Sequence, residues 1–162
     1  SCLVLLAVAF LLCFIPMLLA GIHLNAPYQE HNGRSPYSMT EFGALGAYFL
    51  LSLLGLLCTA AVTLTCAAFL RGSVLPMLVS GMICFGPLFA HVLLNSEGFI
   101  YLYTLAGLLF PDVSLMEFHA VTLGPVAVPQ PVATAALWIL ISAVLLILTK
   151  NHLRRRFART AF

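Results

Sequence analysis

Charge is what this sequence has least of. Only 7% of its 162 residues are Asp, Glu, Lys or Arg, against roughly 25% in soluble globular chains. So few charges cannot cover a folded surface against water, which excludes an ordinary soluble domain. Strands of about ten residues with alternating apolar and polar positions, the mark of a membrane barrel, are also missing. Helices remain, because they satisfy their own backbone groups where there is no water. Cysteine pairs with C-x-x-C or metal-ligand spacing are absent. Cys2, Cys13, Cys58, Cys66 and Cys84 all fall in apolar runs and read as small packing residues. No G-x-x-x-x-G-K-S/T, H-E-x-x-H or G-x-S-x-G stretch occurs, so none of the chemistry those motifs carry is expected here. The five acids, Glu30, Glu41, Glu97, Asp112 and Glu117, lie at or outside the edges of the apolar runs. An intramembrane carboxylate, usual in proton-coupled carriers, is therefore lacking. A charged leader is lacking too: the apolar run starts straight after Ser1, and the sequence is read as a piece of a longer chain.

What is present is apolar: 62% of residues are hydrophobic, with a mean hydropathy of +1.10. A span needs about 20 apolar residues, and four runs qualify: 2–22, 42–70, 74–94 and 132–149. Pro16 is expected to kink the first, and Pro76, Gly81, Gly86 and Pro87 to break the regularity of the third. Residues 23–41, rich in Asn, Pro, Gly and Ser, read as a loop. Arg71–Gly72–Ser73 reads as a tight turn. The stretch 99–110 is too short to span alone, so it either prolongs the third helix or forms a short extracellular re-entrant or interfacial helix. Residues 113–131, with Gly124, Pro125, Pro129 and Pro131, are expected to be loop with a short helix. The expected fold is an all-α polytopic transmembrane bundle of about four spans, a single domain over residues 1–162.

Within the second run Gly55, Thr59, Thr63 and Ala67 recur every four residues, one ridge of small side chains on a helix. Such ridges let helices approach closely in lipid, so this helix is expected to lie buried among others. Its threonines read either as lining for a transport path or as hydroxyls bonded to the preceding turn. Polar lining is otherwise sparse (Thr65, Ser80), which suits a hydrophobic cargo.

Lys150, Arg154, Arg155, Arg156 and Arg159 follow the last run directly. A basic cluster there is explained by the positive-inside rule rather than by nucleic-acid binding. With the tail cytoplasmic and four spans, Arg71 also falls inside, and Arg34 alone of the seven Lys and Arg falls outside. Lys150, Arg154, Arg155 and Arg156 are thus read as a cytoplasmic anchor. Histidines were weighed as haem or quinone ligands: His23 and His91 are expected at similar depth, but interfacial hydrogen bonding is the simpler reading. Glu117 and His119 are a weak metal pair.

The stretch "YFLLSLLGLLCTAAVTLTCAAFLRGSVLPMLVSGMICFGP", residues 48–87, resembles the fourth and fifth spans of type-2 ABC exporter permeases. There a small-residue helix ends at a short Arg-Gly-Ser-like turn and the next span begins at once. "LLFPDVSLMEF" and "GPVAVPQPVATAALWILISAVLLILTKNHLRRRF" resemble that family's extracellular region, last span and basic end. The resemblance implies the C-terminal four of six spans of a permease in a bacterial cytoplasmic membrane. It would pair with a second permease subunit, identical or not, and with cytoplasmic ATP-binding subunits. The chain itself would be no enzyme and hold no cofactor, since ATP and magnesium belong to the partner. Arg71, in the internal turn, is the candidate contact to that partner, with a plain electrostatic anchor as the other reading. The rival functions are a haem- or quinone-binding subunit of a redox complex and a non-transporting membrane scaffold.

Overall fold

The computed structural model describes residues 8, 27, 37–94, 102–111, 114–115, 119–123 and 126–160. The expected span at 2–22, with its Pro16 kink, and most of the loop at 23–41 lie outside the described residues. Among the described residues three helices are long and apolar enough to cross a membrane: α1 (Glu41–Phe69), α2 (Val74–Leu94) and, in the last part of the sequence, α4 (Gln130–Thr160). Between α2 and α4 come a short helix α3 (Leu105–Leu109) and an antiparallel hairpin of β1 (Ala120–Leu123) and β2 (Val126–Pro129). The chain is an integral membrane protein of largely helical fold.

Each boundary has a local cause. Thr40 caps α1: its backbone is extended and its hydroxyl accepts from the Gly43 N–H at 3.2 Å, with Glu41 in the first turn where the helix dipole favours an acid. The α1–α2 turn closes at Gly72, whose φ of 86° is a left-handed conformation that only glycine adopts without strain. Pro87 sits inside α2, which runs through it. Prolines in membrane helices are tolerated because neighbouring groups take up the freed carbonyl. Helix α4 begins at Gln130 with Pro131 in its first turn, where a missing N–H is harmless. It continues well past Thr149, because 150–160 contain neither Gly nor Pro and hold four Arg, a good helix former. At 31 residues it is about 46 Å long, more than the roughly 30 Å hydrocarbon layer, so its basic end projects from it.

Helix α1 is the centre. It packs on α2, α3 and α4, and α3 also touches α2 and α4, whereas α2 and α4 scarcely meet. Cys58 lies by Trp138, Thr65 by Thr149 and Phe69 by His152, so α1 and α4 run parallel and α2 returns against them. The core is built from Cys58 and Val62 of α1, Cys84 of α2, and Leu105 and Leu108 of α3. The described cysteines are free and serve as packing residues, as their setting in apolar runs implies. Outward, the helices show large apolar side chains such as Met77, Met82 and Leu93. On a soluble protein that much exposed apolar surface would drive association; here it is the surface offered to lipid or further spans.

Between α2 and α4 one expectation is corrected in part and another is narrowed. Residues 114–115 are helical, in keeping with the expected short helix, but the expected loop beyond them carries the hairpin β1–β2. Its strands are β-branched or aliphatic and pair Ala120 with Pro129 through Leu123 with Val126, which suits residues that fit a pleated surface better than a helix. Within 99–110 the described helix is confined to five residues, and Leu105, Ala106, Gly107 and Leu108 are all buried. It is therefore separate from α2 and packed among the spans rather than flat on an interface, which leaves the re-entrant alternative standing.

Candidate functional site

Residues 102–111 form a plug held by the surrounding helices, much of it irregular backbone. A buried carbonyl with no partner costs about 1–3 kcal/mol, and several side chains remove that cost. Gln130 Nε2 donates to the Leu102 carbonyl at 2.7 Å and to Thr134 Oγ1 at 3.0 Å, and Thr134 Oγ1 donates to the same carbonyl at 3.4 Å. Trp138 Nε1 donates to the Tyr103 carbonyl at 3.0 Å. From α1, the Ser52 hydroxyl donates to the Leu109 carbonyl at 3.2 Å. Gln130, Thr134 and Trp138 are spaced by four, so they lie along one side of α4. Backbone N–H groups add to these: Gly107 donates to the Thr104 carbonyl and Phe110 to Ala106, and at the start of α4 Gln130 donates to the His119 carbonyl.

Glycine makes the plug fit. A Cβ at Gly107 would strike the Leu102 carbonyl oxygen and stand 2.7 Å from its carbon and 2.8 Å from its Cα. A Cβ at Gly55 would stand 3.1 Å from the Leu109 nitrogen and 3.2 Å from the Leu108 carbonyl carbon, so α1 passes close to the plug there. Outside the spans, burial pushes the Tyr37 phenol up from its ordinary value, which leaves it protonated at neutral pH.

The ridge on α1 is divided by this arrangement. Gly55 is buried against α3, Thr59 is half-buried, and Thr63 and Ala67 are exposed. The buried face of α1 follows Gly55, Cys58, Ala61 and Val62 instead. The hydroxyls of Thr59, Thr63 and Thr65 donate to the carbonyls of Gly55, Thr59 and Ala61 at 2.8, 2.9 and 2.8 Å, the back-bonding weighed above. Ser80 is buried and donates to the Met77 carbonyl at 3.1 Å.

At the opposite end of the bundle lies an open cleft of about 520 Å³. Arg71 of the α1–α2 turn and His152, Arg155 and Arg156 of α4 line it, with Phe69 at the base. The His152 ring rests on Phe69 at a centroid distance of 4.4 Å. Lys150 and Arg154 are exposed and face elsewhere. The structure thus brings Arg71 together with part of the basic tail. The plug contacts of Gln130, Trp138, Ser52 and Gly107 were missed in the sequence; the spacing Gln130–Thr134–Trp138 was the signal that could have raised them.

His91 is half-buried on α2, while His23 and Glu117 lie outside the described residues, so neither histidine pair can be placed. Among the described residues no three His, Cys, Asp or Glu gather as a metal-holding group. No protein-family model, curated protein or solved structure matches this chain.

Proposed function

We propose that the chain is the C-terminal membrane portion of a permease subunit in an ATP-driven exporter of the type-2 ABC class. One observation carries the reading: the Gly55–Thr59–Thr63–Ala67 ridge is sealed by the plug at Gly55 and open at Thr63 and Ala67. A small-residue surface closed at one end and open at the other is what a second subunit or a passing apolar cargo would use in alternating access. Because α2 and α4 scarcely touch, each can tilt against α1 without breaking a shared interface. The order of elements is compatible with the resemblance: small-residue helix, Arg71–Gly72–Ser73 turn, next span, intervening segment, last span and basic end.

In this reading a homo- or heterodimer of permease subunits sits in a bacterial cytoplasmic membrane with the basic end cytoplasmic. The separate ATP-binding subunits, which hold ATP and magnesium, dock at that end, where the turn bearing Arg71 lies. Isolation of the full-length chain from its host in mild detergent is the test. A stoichiometric ATP-binding subunit and vanadate-sensitive ATP hydrolysis in the eluate are expected. A pure chain without ATPase would sink the reading, and a preparation with a haem absorption band would favour a redox subunit.

A further inference from the structure

We infer that the outer edge of β1 is a strand-addition site for β1 of a second copy of this chain, related to the first by a two-fold axis. The inference deepens the proposed function: it rests on the paired subunit of that reading and names one contact that holds the pair.

The register of the hairpin decides which main-chain groups are left over. Directly beyond the paired strands, the Gln130 N–H donates to the His119 carbonyl at 2.8 Å, so 119 and 130 form a hydrogen-bonded pair. Hydrogen-bonded and non-hydrogen-bonded pairs alternate along an antiparallel ladder. The bonded pairs are then Val121 with Val128 and Leu123 with Val126, while Ala120 with Pro129 and Thr122 with Ala127 are non-bonded. Residues of a non-bonded pair turn their N–H and C=O away from the partner strand. On β2 that outward edge is blunted, because Pro129 has no N–H to offer. On β1 it is whole. Ala120 and Thr122 each present a donor and an acceptor, both residues are exposed, and among the described residues no hydrogen bond reaches these groups. The strand Ala-Val-Thr-Leu also lacks the charge, proline or bulge with which proteins keep an edge unpaired.

This edge is complementary to itself, which selects the occupant. Set antiparallel about an axis at Val121, Ala120 of one copy stands opposite Thr122 of the other, and the reverse, as a two-fold contact requires. Each of these pairs exchanges both of its main-chain bonds, about four in all. Ala120 and Thr122 are small and uncharged, so no like charges face one another across the seam. The axis stands perpendicular to the sheet, so the half-buried Val121 and Val128 of both copies stay on one side, opposite the exposed Ala120, Thr122 and Ala127. Pairing also turns a two-stranded hairpin, marginal by itself, into a sheet of twice the width. Four residues per strand bury far less than the roughly 1,200–2,000 Å² of a stable soluble interface. A bilayer already confines and orients both copies, which removes much of the cost of association, so a short edge suffices to set the register of the pair.

The test is disulfide capture of the full-length chain in its native membrane, with copper phenanthroline as oxidant. Val121 meets its own copy in a non-bonded pair with Cα atoms about 4.5 Å apart, inside the roughly 4.4–6.8 Å that a disulfide takes. V121C should therefore run as a disulfide-linked homodimer on a non-reducing gel. A127C, on the blunted edge, should stay at the level of the parent chain, whose own cysteines lie in the apolar runs. Adding T122P to V121C removes an N–H that β2 does not use, and with it two of the main-chain bonds across the axis. At roughly fivefold for each net hydrogen bond, capture should fall by about twentyfold. Circular dichroism and Trp138 emission check that this variant keeps its fold. No homodimer from V121C would overturn the inference. So would equal capture of A127C, which marks chance collision, or undiminished capture in V121C/T122P. A V121C disulfide to a chain of another mass would overturn the second copy as occupant. Material that pairs through V121C yet carries no ATPase would sink the exporter reading alone and leave the strand pairing standing.

Discussion

The two ends of the α1–α4 pair solve opposite problems. At the plug end, every side-chain polar contact described is a neutral hydrogen bond from Ser52, Gln130, Thr134 or Trp138 to a backbone carbonyl or to another of these side chains. At the basic end, arginines surround an open cleft and stay exposed or half-exposed. The contrast follows from what each group loses on leaving water. A carbonyl can be buried if one donor meets it, whereas an arginine buried without an anion would cost several kcal/mol. The plug end is therefore built for shape and should punish any change of volume, while the basic end is built for charge and should tolerate one.

The sharpest way to break that contrast is Gly107→Ala. The new Cβ meets Leu102 backbone, which cannot swing aside as a side chain would. A loss of about 3 kcal/mol is expected, at the upper end for overpacking. Trp138, the only tryptophan in the sequence, reports on it directly because its Nε1 holds the Tyr103 carbonyl. Thermal unfolding in detergent, followed by its emission, should shift strongly for G107A. It should shift by less than about 0.5 kcal/mol for R155Q at the other end. Equal shifts would mean that the plug is no tighter than the cleft.

Next in size is Gln130→Leu. It removes the 2.7 Å bond to the Leu102 carbonyl and leaves that oxygen with only the longer 3.4 Å donation from Thr134. The expected cost is about 1–2 kcal/mol, with a change in Trp138 emission as the neighbouring Tyr103 carbonyl loosens. A variant as stable as the parent would show that packing alone holds residues 102–111.

What the sequence made legible divides along the same lines. The spans 42–70 and 74–94 match α1 and α2 within a residue or so, because long apolar runs ending at a capping threonine and an Arg-Gly-Ser turn leave little choice of boundary. The common end of Arg71 and the basic tail was likewise readable from the parity of spans. The plug was not readable. Leu105, Gly107 and Leu108 look like any other apolar residues, and what distinguishes them is tertiary: a carbonyl met by Gln130, a backbone too near for a Cβ. The hairpin was overlooked for a different reason. Its prolines suggested loop, although Val121–Leu123 and Val126–Val128 flank a Gly-Pro step, a recognisable hairpin pattern. The four-residue ridge was real as a pattern but rotated from the buried face, since burial follows Gly55, Cys58 and Val62 at three- and four-residue steps.

About one helical turn from the basic cleft, Thr149 Oγ1 donates to Thr65 Oγ1 at 3.1 Å, and Thr65 in turn donates to the Ala61 carbonyl at 2.8 Å. This link between α4 and α1 should be weak. If either threonine becomes valine, the other keeps or regains a bond to its own helix, so no polar group is stranded. Double-mutant cycles in membrane helices average about 0.6 kcal/mol for such pairs. A cycle of T65V and T149V, read by the same unfolding assay, should return a coupling of about that size. A coupling above about 2 kcal/mol would mean that the α1–α4 seam is fixed near its basic end as firmly as at the plug. That would leave α4 no freedom to tilt against α1, removing the motion on which the alternating access proposed for this chain depends.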